Sequence, residues 1–261
     1  MNTHKLNTRS DGHVHTKLCL HASGEMEEYV QAAISKNLQE IIFLEHMEEG
    51  IDAPYRSWLT EEDFDIYFKE IERLKLKYST VISIKAGVEL GYNPHCHDKL
   101  LARLKKRNWD KIALSYHFYA VEGARHINLL SRMEENHARA REIGVDNLLE
   151  RYFSDLTQAI ETIPAVVLCH LDAALRHLPE TDIPGKHMDA VLKLLRAVKS
   201  KGIKVEINTS GFTYRNDPFP AKTILQAAKD LDLQYVLGSD AHNPKDVGRF
   251  FNKAEELLNR L

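Results

Sequence analysis

Short apolar runs alternate with longer amphipathic segments along almost the whole of this chain. Seven runs have the length and the β-branched or aromatic content of buried strands. They are HVHT near residue 13, EIIFLEH ending at 46, VISIKAGVEL ending at 90, KIALSYHF ending at 118, AVVLCHLD from 165, IKVEINTS from 203 and QYVLGSD ending at 240. Such a βα repeat predicts an α/β fold with a parallel sheet covered by helices, either closed or doubly wound. No Pro-, Gly- or Ser-rich linker divides residues 1–261, so we predict a single domain.

The segments between these runs have helical periodicity. Apolar residues recur every three to four positions from residue 26 to residue 34, which predicts a helix there. Thr60 and Asp63 have the spacing of a capping box, which predicts the start of a helix that runs to about residue 78. Further helices are predicted at 94–107, 129–142, 146–162, 185–201, 219–231 and 245–260. Residues 119–145 are the least regular part, where we expect a long loop with a helix.

Charge and composition exclude several classes of function. The chain has 261 residues, a formal net charge of −3 and no dense Lys/Arg run, which argues against nucleic-acid binding and against a polybasic membrane patch. We find neither a secretory leader nor an apolar run of about 18 residues, so we expect a soluble, cytoplasmic protein. Cys19, Cys96 and Cys169 have no C-x-x-C spacing, and reduced thiols are expected. Histidine is frequent, with 14 residues.

Side chains that can bind metal ions stand at the carboxyl end of nearly every predicted strand. In α/β folds these ends face one site. The residues are His13, His15, His46, Glu89, His117, His170, Asp172, Glu206, Asn208, Asp240 and His242, with His21 in the loop after the first strand. Several of them form pairs separated by one residue, a spacing that places both side chains on one face of a strand. We therefore expect these groups to converge.

A single histidine after a strand is more often an ordinary core or surface residue than a metal ligand. It is the register of seven histidines, one glutamate and one aspartate with the strand ends that favours a site. We interpret the remaining histidines, which are His4, His95, His97, His126, His137, His177 and His187, as surface or structural residues. Glu45 points away from His46 along a strand and is a candidate to support the ligands. Glu206 and Asn208 could support metal, contact substrate or form buried polar structure.

Imidazole and carboxylate ligands suit Zn²⁺, Mn²⁺ or Fe²⁺. Nine such ligands are too many for a single tetrahedral zinc and suffice for two or three ions that share a carboxylate. Two ions about 3.5–4 Å apart can activate a water and neutralise the oxygens of a phosphoryl group. The predicted chemistry is therefore hydrolysis, with a phosphoester preferred to an amide. The sequence has no P-loop, G-x-G-x-x-G or G-x-S-x-G motif, which excludes the common nucleotide-binding and serine-hydrolase classes.

Seven short motifs follow one another from Asp11 to Gly248, within a resemblance to a known family that runs to about Leu258. They are DGHVHTKLC, FLEH, GVELGY, SYHF, CHLD, EINTSG and GSDAHNPKDVG. In order and spacing they resemble the polymerase-and-histidinol-phosphatase (PHP) family, and they are most similar to its histidinol-phosphatase branch. The resemblance implies a distorted barrel of seven βα units, with the metal site at the C-terminal ends of the strands.

The resemblance also implies ligands for three ions. His13, His15, Glu89 and Asp240 would hold one ion, Glu89 would bridge to a second held also by His117 and His170, and His21, His46 and His242 would hold the third. The implied reaction is hydrolysis of L-histidinol phosphate to L-histidinol and phosphate, with a metal-bridging hydroxide as the nucleophile. Asp240 or His242 would pass a proton to the leaving alkoxide.

Recognition of the phosphate group requires a cation. Related phosphatases have an arginine soon after the NT-[SA]-G motif, and Arg215 in NTSGFTYR follows that motif about two residues later than in those proteins. We predict that Arg215 and Asn208 contact the substrate, a small phosphomonoester, with Arg176 and Arg125 as weaker candidates. Two alternatives are a PHP phosphoesterase acting on another phosphomonoester or a nucleotide, and a metal-bound but catalytically silent interaction module. The complete ligand set favours an enzyme.

Overall fold

Seven parallel strands form one sheet that curves into a nearly closed barrel. The computed structural model describes residues 6–261. The strands are β1 (Ser10–Val14), β2 (Glu40–Met47), β3 (Ser83–Gly91), β4 (Lys111–Ser115), β5 (Phe118–Val121), β6 (Ala124–Asn128), β7 (Val167–Leu168), β8 (Lys204–Asn208) and β9 (Tyr235–Gly238). The barrel sheet has the order β1-β2-β3-β4-β7-β8-β9, and β5 pairs with β6 in a separate antiparallel hairpin.

The first and last strands of the sheet meet. Val14 and Ala241 form a parallel bridge, the amide of Asp240 donates to the carbonyl of His13 at 2.9 Å, and the amide of Ser239 donates to the buried Asp11 carboxylate at 3.0 Å. These contacts bring the two edges of the sheet together. The α/β fold and the barrel predicted from the sequence are confirmed, and the doubly wound alternative is excluded.

Helices cover the outside of the barrel. They are α1 (Met26–Ser35), α2 (Glu61–Lys77), α3 (His97–Leu104), α4 (Glu134–Ile143), α5 (Val145–Thr162), α6 (Ile183–Lys186), α7 (Met188–Ser200), α8 (Gly211–Tyr214), α9 (Lys222–Asp230) and α10 (Phe251–Asn259). At the start of α2, the Thr60 hydroxyl accepts from the amide of Asp63 at 3.1 Å, and the Asp63 carboxylate accepts from the amide of Thr60 at 2.9 Å. The predicted capping box is confirmed.

The two faces of the strands bury different sets of apolar residues. Ile41 and Phe43 of β2 belong to the main core, which includes the buried faces of the helices. The alternate residues Ile42 and Leu44 form a second cluster together with Ala113, Val167 and Cys169. Because alternate side chains of a strand point to opposite faces, the second cluster fills the barrel interior.

The structure differs from the prediction after β4. The predicted strand that ends at 118 is interrupted, since β4 ends at Ser115 and β5 begins at Phe118. The predicted loop at 119–145 contains most of the hairpin β5–β6, with Gly123 at positive φ in its turn, and then α4. Within residues 6–261, no helix combines the length and the apolar character needed to cross a membrane.

Candidate metal centre

The carboxyl ends of the barrel strands surround a cavity of about 390 Å³, which we call the basin. Seven of the nine predicted ligands line it, namely His21, His46, Glu89, His117, His170, Asp240 and His242. The other two, His13 and His15, are fully buried beside Glu89 and Asp240. The structure therefore brings all nine residues together at one end of the barrel.

Glu89, at the end of β3, is the central group of this cluster, and its side chain is buried. Its Oε1 atom lies 2.7 Å from His170 Nε2 and 3.1 Å from His117 Nε2. Its Oε2 atom faces three further imidazole nitrogens, which are His46 Nδ1 at 2.9 Å, His13 Nε2 at 3.4 Å and His15 Nε2 at 3.5 Å. Five imidazoles thus surround one carboxylate, an arrangement that suits a carboxylate shared between metal ions.

Two of the predicted ligands have strained backbones. Asp240, which follows β9, has φ of 51°, and His170, which follows β7, has φ of 24°. A residue other than glycine in this region costs about 1–3 kcal/mol, and such residues cluster at functional sites. The strained turn at Asp240 places its Oδ1 atom 3.4 Å from His15 Nε2 and 3.8 Å from His13 Nε2. Backbone strain therefore accompanies the placement of both side chains in the cluster.

His21, His46 and His242 form a more exposed group at the mouth of the basin. The Nδ1 atoms of His21 and His242 lie 2.9 and 3.0 Å from the carbonyl oxygens of Cys19 and Asp240. A carbonyl oxygen only accepts, so each neutral imidazole donates from Nδ1 and keeps a lone pair on Nε2. The two Nε2 atoms are 2.9 Å apart. Two lone pairs therefore face each other, and a shared cation would remove their repulsion.

Several buried polar atoms of the cluster have no hydrogen-bond partner among the described residues. They are His15 Nδ1, His46 Nδ1, Glu45 Oε2, Glu48 Oε2 and Glu89 Oε2, since the 2.9 Å approach of His46 Nδ1 to Glu89 Oε2 does not have hydrogen-bond geometry. Unpaired buried polar atoms are costly unless another partner binds. Groups of possible ligands with donor atoms within 4.8 Å of one another include His13 with His15 and Asp240, His13 with Glu89 and His170, and His21 with His46 and His242. The residues present therefore fit divalent metal ions that prefer nitrogen and oxygen.

The protonation states of Glu89, Asp240 and His21 suit metal binding. Burial raises the pKa of Glu89, but the charges of His117 and His13 outweigh it and lower that pKa well below its usual range. Burial likewise raises the pKa of Asp240, and the neighbouring imidazoles lower it well below its usual range. Burial and two adjacent imidazoles lower the pKa of His21 to about 3. Near pH 7 the two carboxylates are ionised and His21 is neutral, which are the forms that bind metals.

Burial lowers the pKa of His117, but Glu89 and Glu48 raise it to about 10. Burial likewise lowers the pKa of His13, but Glu206 and Glu89 raise it well above its usual range. These two imidazoles therefore lose a proton when a metal binds.

Two buried glutamates contact the ligand histidines from behind. Glu206 Oε1 lies 2.6 Å from His13 Nδ1, and Glu48 Oε1 lies 2.7 Å from His117 Nδ1. The sequence left the role of Glu206 open and gave no prediction for Glu48. The available signal was its position two residues after His46, which in an extended chain places both side chains on the same side.

The six remaining histidines within residues 6–261 do not line the basin. Four of them contact groups outside the cluster. His126 accepts from the amide of Asp52, and His137 donates to the carbonyl of Ser131. His187 contacts the Asp146 carboxylate, and His177 packs against the ring of Tyr214. His95 and His97 flank the start of α3. His4 lies outside the described residues. Glu45 accepts hydrogen bonds from Thr16, so it points away from His46 as predicted.

The two residues predicted to contact the substrate, Arg215 and Asn208, both have protein partners in this structure. Arg215 donates to the buried Asp172 carboxylate at 2.8 Å and lines a separate cavity of about 160 Å³. Asn208 is fully buried, donates to Glu206 at 3.1 Å and accepts from the Ser210 hydroxyl at 2.6 Å. This geometry favours structural roles for both residues, because their polar groups are already satisfied by the protein.

Two other arginines line the basin, Arg176 and Arg249. The guanidinium of Arg176 lies 4.3 Å from the ring centre of Tyr214, and its buried Nε atom has no partner among residues 6–261. Arg249 donates to the carbonyl oxygens of Ser239 and Asp240 at 3.0 and 3.2 Å. Arg176 was a weaker candidate and Arg249 was not predicted, although it directly follows the motif GSDAHNPKDVG. Arg125 lies on the hairpin, 3.9 Å from Asp52.

Known structures share this fold. A Listeria monocytogenes protein described as a histidinol phosphatase superposes with a TM-score of 0.85 at 23% identity, covering 94% of this chain and 99% of that one. The histidinol phosphate phosphatase of Lactococcus lactis, solved with zinc, L-histidinol and phosphate, superposes with a TM-score of 0.76 at 23% identity, covering 96% of this chain and 92% of that one.

Sequence comparison gives the family. A Deinococcus radiodurans protein named as a probable histidinol-phosphatase is 30% identical over 257 residues, which cover 95% of this chain and 92% of that protein. The histidinol-phosphatase of Bacillus subtilis is 25% identical over 92% of this chain and 96% of its own length. The family model for the PHP domain matches residues 11–210. The chain belongs to the PHP domain family.

Proposed function

We propose that this protein is a metal-dependent phosphatase that hydrolyses L-histidinol phosphate to L-histidinol and phosphate. The observation that carries the proposal is the convergence of five imidazoles on the buried Glu89 carboxylate at an open basin. Relatives that align with this chain over nearly their whole length are named histidinol-phosphatases, which supports the substrate.

The nine clustered residues would hold two or three divalent ions, with Zn²⁺, Mn²⁺ and Fe²⁺ as candidates. The proposed sets are His13, His15, Glu89 and Asp240, then Glu89, His117 and His170, and finally His21, His46 and His242. Such ions, when bound, lower the pKa of a water molecule and neutralise negative charge on phosphoryl oxygens.

Arg176 is the cation best placed to bind the phosphate group. It lines the basin, and its guanidinium forms no ion pair with a carboxylate among the described residues, so its charge is free to attract an anion in the basin. Asp240 and His242 also line the basin, with Oδ1 of the first 3.5 Å from Nδ1 of the second. We assign to this pair the uptake of the proton that the attacking water loses, by the ionised Asp240 carboxylate, and its delivery to the leaving alkoxide oxygen.

Apolar side chains of the basin would bind the organic part of the substrate. Tyr55, Phe118 and Leu130 line the basin and offer apolar and aromatic surface to an imidazole ring. Asp246 lines the basin as well, with its carboxylate 3.7 Å from Arg249 Nη1, and we assign it to the ammonium group of the substrate. A substrate with an anionic end and a cationic end fits this distribution of charge.

Phosphate release from the Zn²⁺-loaded or Mn²⁺-loaded protein tests the proposal. We expect kcat/KM for L-histidinol phosphate to exceed that for phosphoserine, a sugar phosphate and AMP by roughly 100-fold or more, because the other compounds leave polar groups of the site unpaired. Glu89→Gln should abolish turnover and reduce the number of bound ions, while Glu62→Gln, an exposed change on α2, should leave both unchanged. Preference for AMP, or full turnover by Glu89→Gln, would contradict the proposal.

A further inference from the structure

Glu206 lies behind His13, in the buried part of the cluster. It lies on β8, is about 1% exposed, and bonds to groups from three different parts of the sheet. Its Oε1 atom lies 2.6 Å from His13 Nδ1. Its Oε2 atom accepts from the backbone amide of His170 at 3.1 Å and from Asn208 Nδ2 at 3.1 Å. Both oxygens of one buried carboxylate are therefore occupied by protein donors.

The contact with Oε1 decides where His13 carries its proton. A carboxylate only accepts hydrogen bonds, so a neutral His13 must hold its proton on Nδ1. The lone pair then lies on Nε2, which faces His15 Nε2 at 2.9 Å and Glu89 Oε2 at 3.4 Å. This is the tautomer that presents a nitrogen ligand to the centre of the cluster.

The contacts with Oε2 fix the orientation of Glu206. The amide of His170 can only donate. Asn208 cannot turn its amide around, because its Oδ1 atom accepts from the backbone and the hydroxyl of Ser210 at 3.1 and 2.6 Å. Both groups that face Oε2 are thus obligatory donors. A glutamine at position 206 could not satisfy this site, since one of its two terminal atoms is a donor.

The chain leaves space for this contact at Gly238. A Cβ atom at that position would lie 2.2 Å from Glu206 Oε1 and 2.7 Å from His13 Cβ. Any larger residue would therefore push the two side chains apart. The motif GSDAH therefore requires a glycine at position 238 because Glu206 and His13 occupy the space beside it, and not because the chain turns there.

We infer that Glu206 is a positioning residue that fixes the tautomer of His13 and thereby the binding of metal by the buried part of the cluster. The inference rests on the proposed function only in taking His13 as a metal ligand. In Glu206→Gln, the side-chain oxygen can face either His13 or the two donors. If the oxygen faces His13, the amide NH₂ faces the two donors and forms no hydrogen bond with them. If the oxygen faces the two donors, the NH₂ faces His13 Nδ1 and the proton of His13 moves to Nε2, where a lone pair is required to bind metal.

The test compares two isosteric changes with Zn²⁺ as the probe. Glu206→Gln should weaken Zn²⁺ binding by about 10–100-fold, the range found when a group behind a ligand histidine is changed, and at least one ion per chain should be lost on dialysis. Glu48→Gln is the matched control, because Glu48 Oε2 has no partner among the described residues and the amide can turn its oxygen toward His117. Its Zn²⁺ affinity should fall by less than the roughly 10-fold lower limit of that range. Competition with a chromophoric chelator and elemental analysis give both quantities.

A spectroscopic measurement keeps the inference testable even if Glu206→Gln does not fold. In the Zn²⁺-loaded wild type with ¹⁵N-labelled histidine, NMR should show His13 protonated on Nδ1. Wild-type Zn²⁺ affinity and stoichiometry in Glu206→Gln, or a proton on His13 Nε2 in the wild type, would overturn the inference. A wild type that binds Zn²⁺ but does not hydrolyse L-histidinol phosphate would contradict the proposed function alone.

Discussion

Arg176 and Arg215 are both stacked on aromatic rings, but their charges have different partners. The guanidinium of Arg176 lies 4.3 Å from the ring centre of Tyr214, and that of Arg215 lies 4.2 Å from the ring centre of Phe219. Arg215 also forms an ion pair with Asp172, whose side chain is fully buried. A buried carboxylate is costly without its partner, so the charge of Arg215 stabilises the fold. The charge of Arg176 is available to a ligand in the basin.

We expect Arg176→Gln to raise the KM for L-histidinol phosphate and to leave stability nearly unchanged. A hydrogen bond to a charged group contributes about 1.5–3 kcal/mol, which corresponds to a change of roughly 10- to 150-fold. Arg215→Gln should do the reverse, lowering the free energy of unfolding by about 1–3 kcal/mol because Asp172 loses its ionic partner. Steady-state kinetics and denaturant unfolding measure the two effects. A KM that rises in Arg215→Gln but not in Arg176→Gln would support the sequence-based prediction that Arg215 contacts the substrate.

Helix α3 has no residue in the lining of the basin, but Arg103 of this helix binds a segment that does line it. Arg103, near its end, donates to the carbonyl of Glu48 at 2.6 Å and to the Glu61 carboxylate at 2.8 Å. Between these two points the chain passes through Tyr55 and Ser57, which line the basin. The single arginine therefore ties both ends of a segment whose middle contacts the substrate in the proposed complex.

We expect Arg103→Met to loosen this segment. The methionine keeps most of the apolar stem but removes every donor, so amide hydrogen exchange over residues 48–60 should accelerate and KM should rise, while the number of bound ions stays the same. Hydrogen-exchange mass spectrometry and kinetics measure these effects. Arg73→Met is a suitable control, since Arg73 lies on α2 and pairs with Glu27 of α1 and Glu70 of α2, which do not line the basin. Equal changes in the two variants would contradict this role for α3.

The same ion pairs make the start of α2 sensitive to acid. Burial raises the pKa of Glu61, but hydrogen bonds from Arg107 and Arg103 lower it to about 2. The folded-state pKa lies below the unfolded value of about 4.3, so the contribution to stability is complete above about pH 5 and is lost as the pH falls toward 2. Solvent screening limits it to about 1 kcal/mol. In chelator-treated protein, the stability difference between the wild type and Glu61→Gln should be smaller at pH 4 than at pH 7. A stability difference between the wild type and Glu61→Gln that does not change with pH would contradict this prediction.

The barrel strands could be predicted from the sequence, but the hairpin β5–β6 could not. Buried strands such as β2 are nearly continuous apolar runs, whereas the hairpin strands are four and five residues long and mostly half-buried or exposed. The hairpin is also held by a distant part of the chain, since the amide of His126 donates to the carbonyl of Asp52 at 2.9 Å. Contacts between segments so far apart leave no local periodicity.

The clustering of the nine proposed ligands could be predicted because the topology alone determines it. Each residue lies at or just after the end of a barrel strand, apart from His21 in the loop that follows β1, and parallel strands of one barrel end at the same face. The partners of the arginines could not be predicted in this way. Arg215 pairs with Asp172, which is 43 residues away, through a long side chain with many conformations. Strand register places short side chains, whereas the destination of a long one depends on its neighbours in the folded state.

Metal ions held by this cluster would join the two edges of the barrel sheet. His13 and His15 belong to the end of β1, while Asp240 and His242 follow β9, and only a few hydrogen bonds connect these edges directly. An ion at a concentration 100 times its dissociation constant stabilises the folded state by about 2.7 kcal/mol. For a chain of this size, removal of each ion should then lower Tm on the order of 5–10 °C.

We therefore expect a chelator to lower Tm, and to accelerate amide hydrogen exchange in β1 and β9 more than in α5, which packs on the outside of the barrel. Asp240→Asn should already have the lower Tm and respond less to the chelator, because one proposed ligand from the last strand is weakened, whereas Glu62→Gln should behave as the wild type. Calorimetry and hydrogen-exchange mass spectrometry measure these effects. An unchanged Tm after complete metal removal would contradict any binding to the folded state. A uniform acceleration of exchange across all strands and helices would show instead that the ions stabilise the barrel without joining its two edges.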